Sequence, residues 1–229
     1  MIPKIIHYCW FGGNPMPKKF KKNINKWKNN LPDYEFVLWN ESNFNIYNFE
    51  FTKKAYEQKK FAFVSDFVRL YALINFGGVY LDIDMEFVSR FDELLNKDLI
   101  LGFEVNNVTT GFISSSKNNE YLVEIFDKYY LNNEFKMVPN TQIFTDYFFN
   151  NKSFDYKKSY FYDKYTIYSF YYFCCNDLLN VYINKNSKFI HRYSASWFSI
   201  KDRIKSKIHV FLIKIGILKK WWDVMEGDE

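Results

Sequence analysis

Two aspartates, Asp82 and Asp84, stand two residues apart in the run GGVYLDID. If the run is a strand, Tyr80, Asp82 and Asp84 share one face, and Val79, Leu81 and Ile83 share the other. The two acidic α-carbons are then roughly 7 Å apart. Like charges that close repel, so one acid stays protonated unless a cation joins them. A hard divalent ion takes one or two carboxylates and fills its remaining positions with water and phosphate oxygens. Asp82 and Asp84 are therefore candidates to hold a metal that in turn holds a diphosphate, with Arg69 supplying further positive charge. A bare Asp-X-Asp is more often a solvated strand end, so the surrounding elements decide.

The stretch from Phe61 to Asp84 must position these groups. Ala62, Phe63, Phe67, Leu70, Tyr71 and Ile74 recur at helical spacing, which predicts an amphipathic helix. Asp66 and Arg69 lie three apart and so share a face of that helix. Gly77-Gly78 stops it, because glycine accepts the left-handed backbone of a helix C-terminus. Upstream, Ile2 to Trp10 reads as a strand turned by Phe11-Gly12-Gly13. Lys18 to Asn29 reads as a basic helix with Phe20, Ile24 and Trp27 inward, and Tyr34 to Trp39 as a second strand. This β-α-β start predicts parallel pairing. In a regular first strand His7 faces away from Trp10, which suits a hydrogen-bonded core histidine. A further helix is expected over Phe51 to Lys60. Downstream, Asp98 to Phe103 and Asn106 to Ser116 read as strands, and Glu120 to Leu131 and Thr141 to Phe149 as helices. Residues 150–180 show no clear period and receive no assignment.

A chain of 229 residues can bury a substantial core. Its net charge of +5 suits an anionic partner such as a nucleotide or a phospholipid surface. No long basic run or nucleic-acid-binding motif occurs, which argues against nucleic acid. Cys9, Cys174 and Cys175 are odd in number and two are adjacent, which suggests neither a disulfide framework nor a zinc site and fits a reducing cytosol. The apolar N-terminus is too short for a signal peptide, and no apolar run reaches about 18 residues, the length that would predict a membrane span. Over 201–222, Ile204, Ile208, Phe211, Leu212, Ile215, Leu218 and Trp222 fall on one helical face ringed by lysines. Such a basic amphipathic helix fits a membrane surface, a terminal helix packed on its own domain, or an oligomer contact.

The order of motifs adds a resemblance. S-D-x-x-R at Ser65, followed by G-G-x-Y-x-D-x-D at Gly77, is joined by IPKIIHYCWFGG at 2–13, PDYEFVLWNESNF at 32–44 and IHRYSASW at 190–197. Together they resemble glycosyltransferase family 32, whose DXD-motif members include bacterial capsular polysaccharide and lipopolysaccharide sugar transferases. The resemblance implies an α/β, GT-A-like nucleotide-binding fold with a mostly parallel central sheet over residues 1–200, followed by the C-terminal helix and tail at 201–229. It implies retaining transfer of a sugar from a nucleotide diphosphate sugar to a glycan or lipid-linked acceptor. UDP-sugar is the expected donor and GDP-mannose the alternative. Mn2+ or Mg2+ would sit on Asp82 and Asp84.

By the same resemblance, Trp10 stacks on the base and Phe11 and Gly12 offer backbone contacts. Ser65, Asp66, Arg69 and Tyr80 line the donor, with Asp66 on the sugar hydroxyls. Thr110 and Gly111 face sugar or acceptor. His191, Ser196 and Trp197 close the site, and either His191 or Ser196 completes the metal shell. Many relatives carry a second histidine directly after the first, where this chain has Arg192. The expected location is cytoplasmic, peripheral on the inner face of the membrane. A non-catalytic sugar-nucleotide-binding protein at that surface is the competing class.

Overall fold

The first strand, β1 (Ile5–Cys9), lies between two parallel neighbours in the computed structural model, which describes residues 1–131, 136, 138–150, 152–177 and 180–194. On one side is β2 (Glu35–Trp39) and on the other β3 (Gly78–Leu81). The crossover from β1 to β2 is α1 (Lys18–Asn30), a helix whose lysines face water. Its Phe20, Ile24 and Trp27 are buried as their spacing predicts, and the Trp27 indole N–H donates to the Met85 carbonyl at 2.8 Å. The β-α-β start is thus parallel, as expected. His7 is a core histidine: its Nδ1 accepts from the Trp39 indole at 3.1 Å, leaving Nε2–H to donate to the Gly77 carbonyl at 2.9 Å.

Next come α2 (Glu50–Glu57) and α3 (Phe61–Phe76). The expected apolar stripe of α3 is broader in fact. Val64, Phe67, Val68, Leu70, Ala72 and Leu73 are all fully buried, while Phe63, Tyr71 and Ile74 are partly so. The reason is that α3 is covered twice, by β1 on one side and by α2 and α4 (Glu120–Phe126) on the other. A phenyl ring so enclosed, such as Phe67, contributes about 1.5–3 kcal/mol relative to exposure. Gly77 ends the helix at φ +67°. Gly78 at φ +101° lets β3 approach β1 closely, since a β-carbon there would stand 2.5 Å from the Ile5 carbonyl.

From β3 the sheet turns antiparallel through β6 (Asn107–Ser115) and β5 (Leu99–Glu104), then continues with β8 (Tyr165–Tyr168) and β7 (Tyr160–Phe161). Its order is β2-β1-β3-β6-β5-β8-β7. The pairs β1–β2, β1–β3 and β5–β8 are parallel, while β3–β6, β5–β6 and β7–β8 are antiparallel. This is the expected α/β class, with an antiparallel hairpin joining two parallel parts. A second ribbon pairs β4 (Met85–Phe87) with β9 (Phe189–His191). The helix expected to run to Leu131 changes to a π turn over Asp127–Leu131, and α5 (Asn140–Phe149) follows. In the unassigned stretch lie β7, β8 and the single turn α6 (Phe170–Phe173). All three cysteines are buried and unpaired. Among the described residues no helix is long and apolar enough to cross a membrane.

Candidate active site

β3 stops at Leu81, so Asp82 and Asp84 do not alternate on a strand face as the sequence suggests. They flank a tight turn in which the Met85 N–H donates to the Asp82 carbonyl at 2.9 Å. The Asp82 N–H is still held by the Gly111 carbonyl of β6 at 2.9 Å, and the chain then leaves the main sheet as β4. The turn brings both carboxylates together. It does so beside a third group, because β4 pairs with β9 and sets Met85 opposite His191.

The imidazole Nε2 of His191 lies 3.4 Å from Asp84 Oδ1 and 4.0 Å from Asp82 Oδ2. One ligand atom from each of the three residues falls within 4.8 Å of the others. Asp84 and His191 are 6% and 7% exposed, so this is a dry site. Burial pushes the Asp84 carboxyl up, but the His191 charge and the Ser194 N–H at 2.6 Å outweigh it and hold the group below its ordinary range. Burial lowers His191 in turn, and Asp84 more than reverses this, so the ring is held well above its ordinary value. Tyr193, at φ +43°, aims the Ser194 N–H at Asp84 and stacks on His191 at 4.1 Å. A left-handed aromatic residue costs on the order of 1–3 kcal/mol and persists where neighbours over-determine it.

Arg69 joins this acidic group to α3. Its Nη2 is 2.8 Å from Asp66 Oδ1 and 3.4 Å from Asp82 Oδ1. Nη1 donates to the Thr110 carbonyl at 2.5 Å, and the guanidinium lies 4.5 Å from the Tyr80 ring centre. Tyr80 in turn donates to Asp82 Oδ1 at 3.0 Å. Burial drives Asp66 up to about 6 against the opposing pull of Arg69. The sequence placed Asp66 and Arg69 on one helix face, and the structure extends that pair to Asp82.

The residues present fit a cation. Two carboxylates and an imidazole suit Mn2+ better than Mg2+, which prefers oxygen alone. Gly111 leaves the space: a β-carbon there would stand 3.2 Å from Asp82 Oδ2, 3.2 Å from His191 Cε1 and 3.3 Å from Met85 Sδ. The buried Nδ1 of His191 has no hydrogen-bond partner. Gly111, named in the sequence as facing sugar or acceptor, lies against Asp82 and His191, and Thr110 contributes its carbonyl to Arg69.

The other residues expected at the site are held by the protein's own groups. Tyr80 is 1% exposed and sits under Arg69, so its ring supports the guanidinium from within. The Gly12 and Gly13 N–H groups are already taken by the Glu41 carboxylate at 2.6 and 3.1 Å, which a polar loop conceals in the sequence. Phe11 is buried against Phe44. The Ser65 hydroxyl donates to the Phe61 carbonyl at 3.1 Å, so it faces its own helix. Trp10 is half-buried, with its indole N–H on the Asn14 carbonyl at 2.6 Å. It follows Cys9, whose thiol feels the charges of Arg69 and Asp82. A cavity of about 510 Å³ beside Glu41, Asn43, Tyr47 and Tyr56 contains none of the acidic cluster. Ser196, Trp197 and the 201–222 helix lie outside the described residues. Glu104 and Cys174, which also approach His191, carry no signal in the local sequence pattern.

Residues 17–101 match a family model described as "Glycosyltransferase sugar-binding region containing DXD motif". Among curated proteins, inositol phosphoceramide mannosyltransferase 1 of Schizosaccharomyces pombe is 29% identical over 107 residues, covering 42% of this chain and 32% of that protein. The chain spans about a quarter to a third of the length of the curated relatives it matches. The solved PaToxG glycosyltransferase superposes at a TM-score of 0.53 with 21% identity, over 66% of this chain and 69% of that one. A glycosyltransferase involved in glycosylation of the major capsid of PBCV-1 superposes at 0.50 with 12% identity, over 91% of this chain and all of the other. These likenesses show a GT-A-like fold.

Proposed function

We propose that this chain, which carries the DXD-containing sugar-binding region of glycosyltransferases over residues 17–101, is a metal-dependent retaining hexosyltransferase. It would move a sugar from a nucleotide diphosphate sugar to a glycan or lipid-linked acceptor in cell-surface polysaccharide synthesis. The observation that carries this reading is the meeting of Asp82, Asp84 and His191 beside Arg69.

Asp82, Asp84 and His191 would hold Mn2+, or Mg2+ less readily. Bound there, the cation would supply charge to stabilise the departing diphosphate. Arg69 adds a fixed positive charge in the same dry place, where it needs no reorganisation as the bond breaks. Because Arg69 also grips Asp66, the acid that orients the sugar and the acids that hold the cation move as one unit. The Asp66 carboxylate is held by Arg69 and by the Asn140 backbone N–H, and its remaining lone pairs would accept from a donor sugar hydroxyl. A carboxylate in this role is an orienting group. Asp82, which shares Arg69 Nη2 with it, is assigned to the cation and not to the acid and nucleophile pair of retaining hydrolases, so we assign a front-face route in which the departing phosphate accepts the acceptor's proton.

UDP-sugar is the first choice of donor. A second reading, GDP-mannose, draws on the fungal relative named as a mannosyltransferase. The 201–222 segment would bring the enzyme to the inner face of a membrane, where a lipid-linked acceptor lies. The test is donor hydrolysis by the full chain, using UDP-glucose, UDP-galactose and GDP-mannose with and without Mn2+. Mn2+-dependent release of one nucleoside diphosphate is expected. Equal turnover in chelator would refute the metal role, and an inverted product would refute retention.

A further inference from the structure

His191 has two ring nitrogens, and only one faces the acids of the site. Nε2 lies 3.4 Å from Asp84, whereas Nδ1 is buried with no hydrogen-bond partner. A buried polar atom left in that state costs on the order of 1–3 kcal/mol. A ring that offers Nε2 as a lone pair must carry its proton on Nδ1, and that N–H then needs an acceptor.

Two side chains lie beside the ring, and the Cys174 thiol already interacts with it. The carboxylate of Glu104, the sulfur of Cys174 and a nitrogen of His191 lie within 4.8 Å of one another. Glu104 ends β5 opposite Asn107, where the β5–β6 hairpin turns, and its carboxyl points inward beside the Thr109 hydroxyl. Cys174 is fully buried and its carbonyl accepts the His191 N–H at 2.9 Å, which anchors the backbone of β9. A thiol is a weak acceptor and a carboxylate a strong one. Closing the gap to a normal hydrogen bond needs a shift of no more than about 2 Å, within reach of a glutamate rotamer change.

We infer that Glu104 is the positioning residue that accepts Nδ1–H of His191 and so fixes the imidazole with Nε2 toward Asp82 and Asp84. This deepens the metal-site reading above and rests on it. Metal-ligating histidines commonly pass their second N–H to a carboxylate, and losing that partner weakens metal binding about 10–100-fold.

The test is direct Mn2+ binding to the full chain, read by electron paramagnetic resonance of free Mn2+, with the imidazole nitrogen coupling of bound Mn2+ read by spin echo. Glu104→Leu should weaken Mn2+ about 10–100-fold and reduce the nitrogen coupling. Glu104→Gln, close in shape and able to accept through its carbonyl, should recover most of both. Cys174→Ala should bind like wild type. Wild-type affinity in Glu104→Leu would overturn the inference while leaving the metal site intact. An equal loss in Glu104→Gln and Glu104→Leu would reduce Glu104 to a through-space charge, and a loss confined to Cys174→Ala would move the role to the thiol. Absence of Mn2+ binding in the wild type would end the metal-site reading as well.

Discussion

The Nε2 atom of His191 lies 3.4 Å from Oδ1 of Asp84, although Asp84 stands in the turn before β4 and His191 ends β9, far apart in sequence. The pairing of β4 with β9 makes this contact. It turns a two-carboxylate motif into a three-sided cradle. Asp84→Asn removes one charged ligand with little change in shape. Mn2+ affinity should fall at least about 100-fold while the melting temperature changes by only a few degrees. His191→Ala should give a similar loss. Titration calorimetry on both variants checks this.

Gly111 is the floor of the cradle. Its φ is not in the left-handed region, so an alanine strains no backbone there, yet its methyl would press on Asp82, His191 and Met85 at 3.2–3.3 Å. Gly111→Ala should therefore weaken Mn2+ about tenfold and cost about 1–2 kcal/mol of stability. Paired cation titration and urea denaturation separate the two effects.

Arg69 is the only link among the described residues between Asp66 and Asp82. Arg69→Met would leave the buried Asp66 and the half-buried Asp82 without their cation, at a cost of about 3–5 kcal/mol. Arg69→Lys keeps the charge but cannot reach Asp66, Asp82 and the Thr110 carbonyl together or stack on Tyr80. It should retain most of the stability and lose donor turnover by at least about tenfold. A lysine variant with full turnover would show that the fork geometry is irrelevant.

The metal-free protein should be more stable in mild acid. Burial drives Asp66 up to about 6 and Glu104 up to about 7 in the folded state, against ordinary values of 3.8 and 4.5. Between about pH 4 and 7 the folded chain therefore binds more protons than the unfolded one, and stability falls as pH rises. His191 acts in the same direction, since its raised value gives stability that is present in acid and lost as pH climbs past it. Asp84 is lowered, so its contribution is present above its ordinary value and lost only on stronger acidification. In chelator, the melting temperature should rise on going from about pH 7.5 to about pH 5.5. Added Mn2+ should raise it most at the alkaline end, because the cation competes with the His191 proton.

The stretch from Phe61 to Asp84 was readable in the sequence because helix period, glycine stop and paired acids agree there. Asp66 and Arg69 share a face because they are three apart, which spacing shows; their bridge to each other and to Asp82 is seen only in the structure. The turn at Asp82-Ile83-Asp84 was not readable, because alternation fits a strand and a turn equally over three residues. Glu104 and Gly111 were also hidden in their roles. They reach the site through the β3–β6 and β5–β6 pairings, which no local period records. Residues 160–173 defeat periodicity for another reason. The strands there are short, and the helix Phe170–Phe173 is one turn long, too little for a 3.6-residue repeat to show.

The most direct measurement is calorimetric titration of the full chain with UDP and with GDP, in Mn2+ and in chelator, for wild type and Asp84→Asn. One of the two nucleotides should bind wild type at least about tenfold more tightly with Mn2+, and Asp84→Asn should lose that gain. Equal affinity in Mn2+ and chelator, or a gain that survives in Asp84→Asn, would contradict a cation held between Asp82, Asp84 and His191 for a diphosphate.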